Sequence, residues 1–378
     1  MDTKEIGISI IGAGLRSGVA RLLFTKDRNL KLRSIFDPDR ERAMERASSL
    51  GFPEARICTS AEEAIAAPGV EWVMVFSPNS CHAGHIMAAL KADKNVFTEK
   101  PMATTIEDCE QVFRAFNGSK RQLVTGFVLR YSPIYRKIKE LLDRKEVGKI
   151  ISIEADENLS VDLGSYIMCN WRRLRANAGP YILEKCCHDL DLLNWFIGSL
   201  PVKTASFGGL NFYVPENEYI HEQHKEQFHL IPDSHAVPSP FLAEKDIIDN
   251  QVIILEYANG ARATFHTTMS NPIPERRMYI SGSEGTLVLS HGKISLRRIG
   301  EEATRFFDLD ITDGHAGGDQ VIMNELYKTM CEEQAPRSTG LQGLESAVVG
   351  LCIDQAQRTN TIIDIGEVWS RLGHPVVK

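Results

Sequence analysis

Two groups of residues have types and spacings that can do chemistry. The first is Gly12-Ala13-Gly14-Leu15-Arg16-Ser17-Gly18, which follows the apolar run Ile6–Ile11 directly and opens a helical pattern. In that setting the first glycine permits a tight turn, and the second lets backbone amides close on a pyrophosphate. The helix N-terminus adds N–H donors and a positive dipole end. The third glycine of such a fingerprint is due where Ser17 stands, and Gly18 falls one place late. Asp37 ends the next apolar run, 23 residues after Gly14. A carboxylate there can accept both ribose hydroxyls of NAD and would repel the 2′-phosphate of NADP. It can equally cap a helix starting at Pro38, and one residue can do both. Arg16 and Arg40 are the counterweight, since either could pair with a 2′-phosphate. The balance favours NAD over NADP. The second group is Glu184-x-x-x-His188, whose spacing puts both side chains on one helix face. Lys185, turned about 100° from Glu184, could face either way.

The elements that must hold these residues fall into two textures. Through residue 127, β-type runs (Ile6–Ile11, Leu30–Phe36, Trp72–Phe76, Asn95–Thr98) alternate with helical patterns. The helical patterns run from the glycine turn to about Phe24, then over Pro38–Leu50, Ala61–Ala67 and Ser80–Ala92. Ser60 and Glu63 make an S-x-x-E capping box. This alternation predicts βαβ units around a parallel sheet. After a helix at Ile134–Leu142, long alternating runs take over: Lys149–Glu157, Val202–Leu210, Asn250–Tyr257, Ala261–Thr268, Arg277–Ser281 and Thr286–Leu289. Asn259-Gly260 between two of them is a strong hairpin signal. Further helices are predicted over Ile182–Ile197, Gln320–Glu332 and Leu344–Thr359. The fold class is therefore α/β. An N-terminal Rossmann domain (1–127) precedes an α/β domain (128–378) with a large, mostly antiparallel open sheet.

Composition narrows the function. The chain has 378 residues, 43 Lys+Arg against 50 Asp+Glu for a net charge of −7, and 43% hydrophobic residues. That is a globular balance. A mildly acidic chain without a Lys/Arg block does not hold nucleic acid through phosphate charge. No run approaches the roughly 18 apolar residues of a membrane span. The start, MDTKEIGISIIGAG, has no secretory pattern. Eight scattered cysteines without a C-x-x-C pair read as reduced thiols, so the expected location is the cytoplasm.

Four more stretches match one family. They are Ser77-Pro78-Asn79 with His82, Glu99-Lys100-Pro101, Gly126-Phe127-Val128-Leu129-Arg130-Tyr131, and Glu184-x-x-x-His188-x-x-Asp191. With the glycine turn they make the chain resemble the Gfo/Idh/MocA oxidoreductases, the glucose-fructose oxidoreductase and inositol dehydrogenase-like enzymes. The resemblance implies sugar-like or cyclitol substrates, and dimers or tetramers built on the open sheet face. It also implies that Asn79 and Glu99 lie beside the nicotinamide half of the cofactor, with Ser77 and His82 in the same motif. Lys100 would be the active-site lysine and His188 the proton-transfer residue. Two departures stand out. Glu184 replaces the more usual Asp, and Ala178-Gly179-Pro180 replaces a glycine run.

Elementary chemistry suits these residues. Oxidising a secondary alcohol needs a base for the hydroxyl proton and a positive group for the developing alkoxide. A histidine titrating near ~6.5 fits the first. A lysine fits the second, or the first if burial and the cofactor's positive ring depress its pKa. Arg130, Trp171, Arg172 and Tyr181 flank the expected site with the bidentate donors and ring faces that a polyhydroxylated ligand would meet. His315 and Asp319 are either a helix cap or, by resemblance, a stretch near the active site. Asp191 reads as a brace. Cys186-Cys187-His188 cannot close on one metal ion, because adjacent helix residues diverge. No metal is expected.

The segment from about 211 to 245 breaks the pattern. It holds His221, His224, His229 and His235 and reads as a polar surface loop between strands. His221-x-x-His224 has a spacing metals use, but no third ligand is evident. Three readings of the whole follow. The leading one is an NAD(P)-dependent dehydrogenase or reductase of a sugar, sugar derivative or cyclitol. The second keeps the site but uses oxidation transiently, cleaving a glycoside with a retained NAD. The third is a non-catalytic NAD-bound sensor.

Overall fold

In the computed structural model, which describes residues 5–228, 237–309, 315, 317–374 and 376, the chain packs as two units. The first is Met1–Ser132 with Thr312–Ala347, and the second is Pro133–Ile311 with Val348–Lys378.

The first unit is built on six strands: β1 (Ile6–Ile11), β2 (Leu30–Phe36), β3 (Arg56–Ile57), β4 (Trp72–Val75), β5 (Asn95–Thr98) and β6 (Leu123–Thr125). All pair in parallel, in the order β3-β2-β1-β4-β5-β6. Every residue of β1 and β4 is buried, so β4 (Trp-Val-Met-Val) reads as continuously apolar, while in β1 the small Gly7 and Ser9 alternate with isoleucine. Helices α1 (Arg40–Ser49), α2 (Ala61–Ile65), α3 (Asn79–Lys91) and α4 (Ile106–Asn117) form the crossovers. Their starts follow side-chain chemistry: Asp39, Ser60 and Thr105 each accept the N–H three residues on. Because β1 lies between β2 and β4, the chain reverses direction across the sheet there. That leaves a crevice at the strand carboxyl ends, where α/β sheets bind their ligands.

The second unit opens with α5 (Pro133–Asp143), β7 (Ile150–Ser160), α6 (Val161–Cys169), α7 (Arg175–Ala178) and α8 (Tyr181–Ile197). There follow β8 (Pro201–Gly209), α9 (Glu218–Gln223), β9 (Asn250–Tyr257), β10 (Arg262–Asn271), β11 (Glu275–Gly282), β12 (Gly285–Ser290), β13 (Lys293–Arg298) and β14 (Arg305–Phe307). Next come α10 (Gly318–Met330), which belongs to the first unit, and α11 (Gly340–Thr359), divided between the two. The chain closes with β15 (Ile363–Asp364) and α12 (Ile365–Leu372). The nine-stranded sheet runs β14-β13-β12-β11-β7-β10-β9-β8-β15. Only the central β7–β10 pair is parallel. Asn259-Gly260 turns β9 into β10, with Gly260 at φ +85°.

One face of this sheet is open. The row Ala205, Ile254, Thr264, Glu154, Tyr279, Val288, Ser295 and Phe306 crosses eight strands in register. Ile254 and Phe306 in it are 55% and 70% exposed, and Phe207 and Val252, paired two residues along, are 68% and 49% exposed. Among the described residues no helix is long and apolar enough to cross a membrane.

The histidine-bearing segment corrects the expectation of a polar loop. Asp249 accepts the backbone N–H groups of Asn211, Phe212 and Tyr213 at 2.8–3.2 Å. Phe212, Tyr213, Phe228 and Phe241 pack ring against ring, with His221 among them. These aromatics have no regular spacing, so their shared burial left no periodic signal. His229 and His235 lie outside the described residues.

Candidate active site

The cofactor half is assembled in the first unit. Gly12 has φ +91°, and a Cβ there would sit 2.6 Å from the Ser77 nitrogen, so only glycine fits. A Cβ on Gly14 would point into open space, which is the room a diphosphate needs against the backbone. The following turn is a tight 3₁₀ helix, Leu15–Leu22, and not the longer helix expected to about Phe24. Ser17 tolerates the place of the third glycine because its hydroxyl donates back to the Gly14 carbonyl at 2.6 Å. Leu15 is exposed.

Asp37 accepts the Ala13 N–H at 2.7 Å through Oδ2 and the Asp39 N–H at 2.9 Å through Oδ1. It is therefore not the cap of α1, which is Asp39. Instead it ties the end of β2 to the glycine turn, where a ribose carboxylate belongs. Open space at Gly14, a forced glycine at 12 and a carboxylate held against the turn together fit a dinucleotide. Gly12, Gly14 and Asp37 would hold it, and Arg40 sits exposed at the first residue of α1.

Arg16 does something the sequence did not suggest. Its Nε donates to Glu99 Oε1 at 2.7 Å, and its Nη2 lies 2.7 Å from Asp319 Oδ1. Asp319 in turn contacts His315 Nδ1 at 2.8 Å. Burial works against the charged guanidinium, yet Glu99 and Asp319 hold its pKa above the ordinary arginine value. Burial alone would raise the Asp319 carboxyl, but His315 and Arg16 hold it well below its usual range.

The turns after β4 and β5 are stitched together. His82 is buried with Nδ1 2.7 Å from the Pro101 carbonyl oxygen and Nε2 2.7 Å from that of Ser77. Ser77 Oγ meets His85 Nδ1 at 2.9 Å. Asn79 opens α3 and is buried, while Lys100 precedes Pro101 through a cis peptide. Arg130 lies buried in a short 3₁₀ turn, Val128–Tyr131.

The substrate-type residues gather in the second unit on α8. Glu184 and His188 are 7% and 8% exposed, one turn apart. Arg172 Nε donates to Glu184 Oε1 at 2.9 Å, and Nη1 donates to Asn170 Oδ1 at 3.0 Å. The guanidinium also lies over Trp171 (4.2 Å) and Tyr166 (4.9 Å). Trp171, Arg172 and Glu184 thus form one cation–aromatic–carboxylate wall. Tyr181 departs from its expected place beside them. It is 1% exposed, and its hydroxyl meets Thr267 Oγ1 on β10 at 2.5 Å, so it ties helix to sheet.

Sequence reasoning missed the charges beneath this helix. Asp189, Glu157 and Lys185 surround Arg276, with Arg276 Nε 2.6 Å from Glu157 Oε2 and 2.8 Å from Asp189 Oδ1. Lys185 points the same way, 3.5 Å from Glu157. Burial pushes the Asp189 carboxyl up, and the Arg276 charge opposes that. These partners are separated by tens of residues, so no local motif marks them.

Comparison with known proteins defines the class. Residues 6–127 match the family model described as oxidoreductase family, NAD-binding Rossmann fold, and residues 139–365 match oxidoreductase family, C-terminal alpha/beta domain. The chain belongs to the Gfo/Idh/MocA oxidoreductases, and is an oxidoreductase with an NAD-binding Rossmann domain. It is similar to the protein YteT of Bacillus subtilis (strain 168), 25% identical over 75% of this chain and 77% of that one. A stretch covering 38% of this chain is 34% identical to inositol 2-dehydrogenase 3 of Saccharopolyspora erythraea, spanning 42% of that protein. Levoglucosan dehydrogenase, solved with NADH and levoglucosan, superposes with a TM-score of 0.79 at 17% identity. That superposition covers 96% of this chain and all (100%) of the other.

Proposed function

We propose that the protein is an NAD-dependent dehydrogenase or reductase acting on a secondary alcohol or ketone of a sugar, sugar derivative or cyclitol. The observation that carries this reading is the dinucleotide cradle, in which Asp37 is held against the Ala13 N–H beside the open face of Gly14. The named activities of the similar dehydrogenases, on inositol and on levoglucosan, support the substrate class. The carboxylate at Asp37 supports NAD over NADP.

When bound, the nicotinamide supplies the site that takes or gives a hydride. His188 takes the proton of the substrate hydroxyl during oxidation and returns it during reduction. Lys100 offers its ammonium to the oxygen as negative charge develops. Glu184, held by Arg172, receives substrate hydroxyls, with Trp171 as a stacking face. Asn79, Glu99, Ser77 and His82 shape the nicotinamide end, and Arg130 and His315 are assigned to substrate recognition. Cofactor contacts belong to residues 1–127, with Asp319 of the same unit beside them, and substrate and subunit contacts belong to 128–378.

The exposed Phe207, Val252, Ile254 and Phe306 on the open sheet face support a homodimer or homotetramer, because isolated monomers rarely leave so many large apolar side chains in water, and the free thiols support a cytoplasmic location. The test of function is a panel of neutral sugars, uronates and cyclitols with NAD and NADP, followed by nicotinamide absorbance. Turnover of a polyol supports the reading. Silence across the panel, with short-chain alcohols oxidised instead, would overturn it.

A further inference from the structure

Arg16 stands on the glycine turn at the carboxyl end of β1, whereas Glu99 stands at the carboxyl end of β5. In the sheet β4 lies between those strands. The Arg16 side chain therefore spans the end of β4, which is the switch-point crevice that a dinucleotide must enter. Its far side is fastened by Asp319, the second residue of α10, and Asp319 is itself fastened by His315. All four groups lie within the first unit. Arg16 Nη1 has no hydrogen bond to any described residue. A guanidinium hydrogen-bonded to Glu99 through Nε and held by the charge of Asp319 at Nη2 thus keeps one edge of donors for a third anion.

Resting on the dinucleotide assignment, we propose that Glu99–Arg16–Asp319 is a clasp on the bound cofactor. The remaining edge of Arg16 binds the diphosphate, and the Arg16–Asp319 pair must open before the cofactor leaves. The clasp makes cofactor release slow without contributing to the hydride-transfer step. It also explains an otherwise puzzling placement. A cation beside a diphosphate site would be expected to face open solvent, yet this one is flanked by acids that would repel the ligand if the guanidinium were absent.

The test loads the purified protein with NADH, displaces it with excess NAD, and follows nicotinamide fluorescence by stopped flow. Asp319→Asn removes the fastening while leaving Arg16 in place, and it should speed NADH release by about tenfold, the effect of losing one charge-assisted contact. Arg16→Gln should speed it at least as much. The double variant should release no faster than the faster single one, because both changes open the same clasp. Arg16→Lys preserves the charge but cannot fork between two carboxylates, and should also release faster. A cooperative thermal transition and a far-ultraviolet circular dichroism spectrum like the parent's identify the variants that are folded. Release from folded Asp319→Asn and Arg16→Lys within about twofold of the parent, or effects that multiply in the double variant, would overturn the clasp. A parent that bound neither NADH nor NADPH would instead overturn the cofactor reading itself.

Discussion

Arg276 on β11 reaches Asp189, the residue that follows His188 on α8, with Nε 2.8 Å from Oδ1 and Nη2 donating to Oδ2 at 3.2 Å. The Nε approach is out of line for a hydrogen bond, so its attraction is mainly Coulombic. The second carboxylate, Glu157, lies 2.6 Å from the same Nε. The helix that carries Glu184 and His188 is thereby anchored to the sheet by buried charge. Arg276→Met should lose about 3–5 kcal/mol of stability, because it leaves two buried carboxylates with only Lys185, 3.5 Å from Glu157, to offset them. Urea unfolding followed by circular dichroism measures this, and a loss under about 1 kcal/mol would mean that solvent reaches the pair.

The proposed preference for NAD rests on the Asp37 carboxylate at the end of β2. Asp37→Ala should narrow the NAD-over-NADP ratio of kcat/KM by about tenfold, equivalent to about 1.4 kcal/mol. Because Asp37 also accepts the Ala13 N–H, NAD affinity itself should fall in the same variant. Steady-state kinetics with both cofactors provide the check. An unmodified protein with equal preference for the two would remove the basis for the assignment.

The fold was legible because its signals are local. Ile6–Ile11, Leu30–Phe36, Asn95–Thr98 and Asn250–Tyr257 begin and end where the apolar patterns do. Glu184 and His188 were legible for the same reason, since a four-residue spacing is a helix face. What escaped was pairing at long range. Nothing near Arg16 announces Asp319, 303 positions on, and nothing near Asp189 announces Arg276. Tyr181 was misplaced because a helix pattern shows that a residue is inward without showing which neighbour it meets. Here the neighbour is Thr267 of the sheet. The proposed substrate wall was not legible either, because Glu184, Arg172 and Trp171 come together from separate turns.

The exposed row on the nine-stranded sheet predicts self-association. The parent should sediment as a dimer or larger at micromolar concentration. Ile254→Lys combined with Phe207→Lys should shift it toward the 42.3 kDa monomer, since charges on a buried apolar interface are strongly unfavourable. A parent that sediments as a monomer across that range would show that the face is open in solution.

Acid should act through Asp319. Its folded-state pKa is depressed, so its contribution is fully present above the unfolded value of about 3.9 and is lost as pH falls toward the folded one. The stability gap between the parent and Asp319→Asn should therefore shrink as pH falls below about 4. Thermal unfolding across that range tests it, and a gap that grew on acidification would reverse the sign of the linkage.

Lys100 and His188 are proposed to serve the transition state of hydride transfer and to contribute little to cofactor binding. Groups of that kind show their loss in kcat. Removing a general base costs ~10²–10⁴ in rate, and removing an oxyanion partner costs ~10²–10³. Glu184→Ala, by contrast, should weaken substrate binding and disturb His188 together, giving a mixed effect on kcat and KM. The most direct measurement is single-turnover hydride transfer by Lys100→Ala and His188→Ala on the best substrate, with NADH affinity titrated in parallel. These roles require rates down by about a hundredfold or more with NADH affinity within about threefold of the parent. Either variant transferring hydride within about threefold of the parent rate would contradict them.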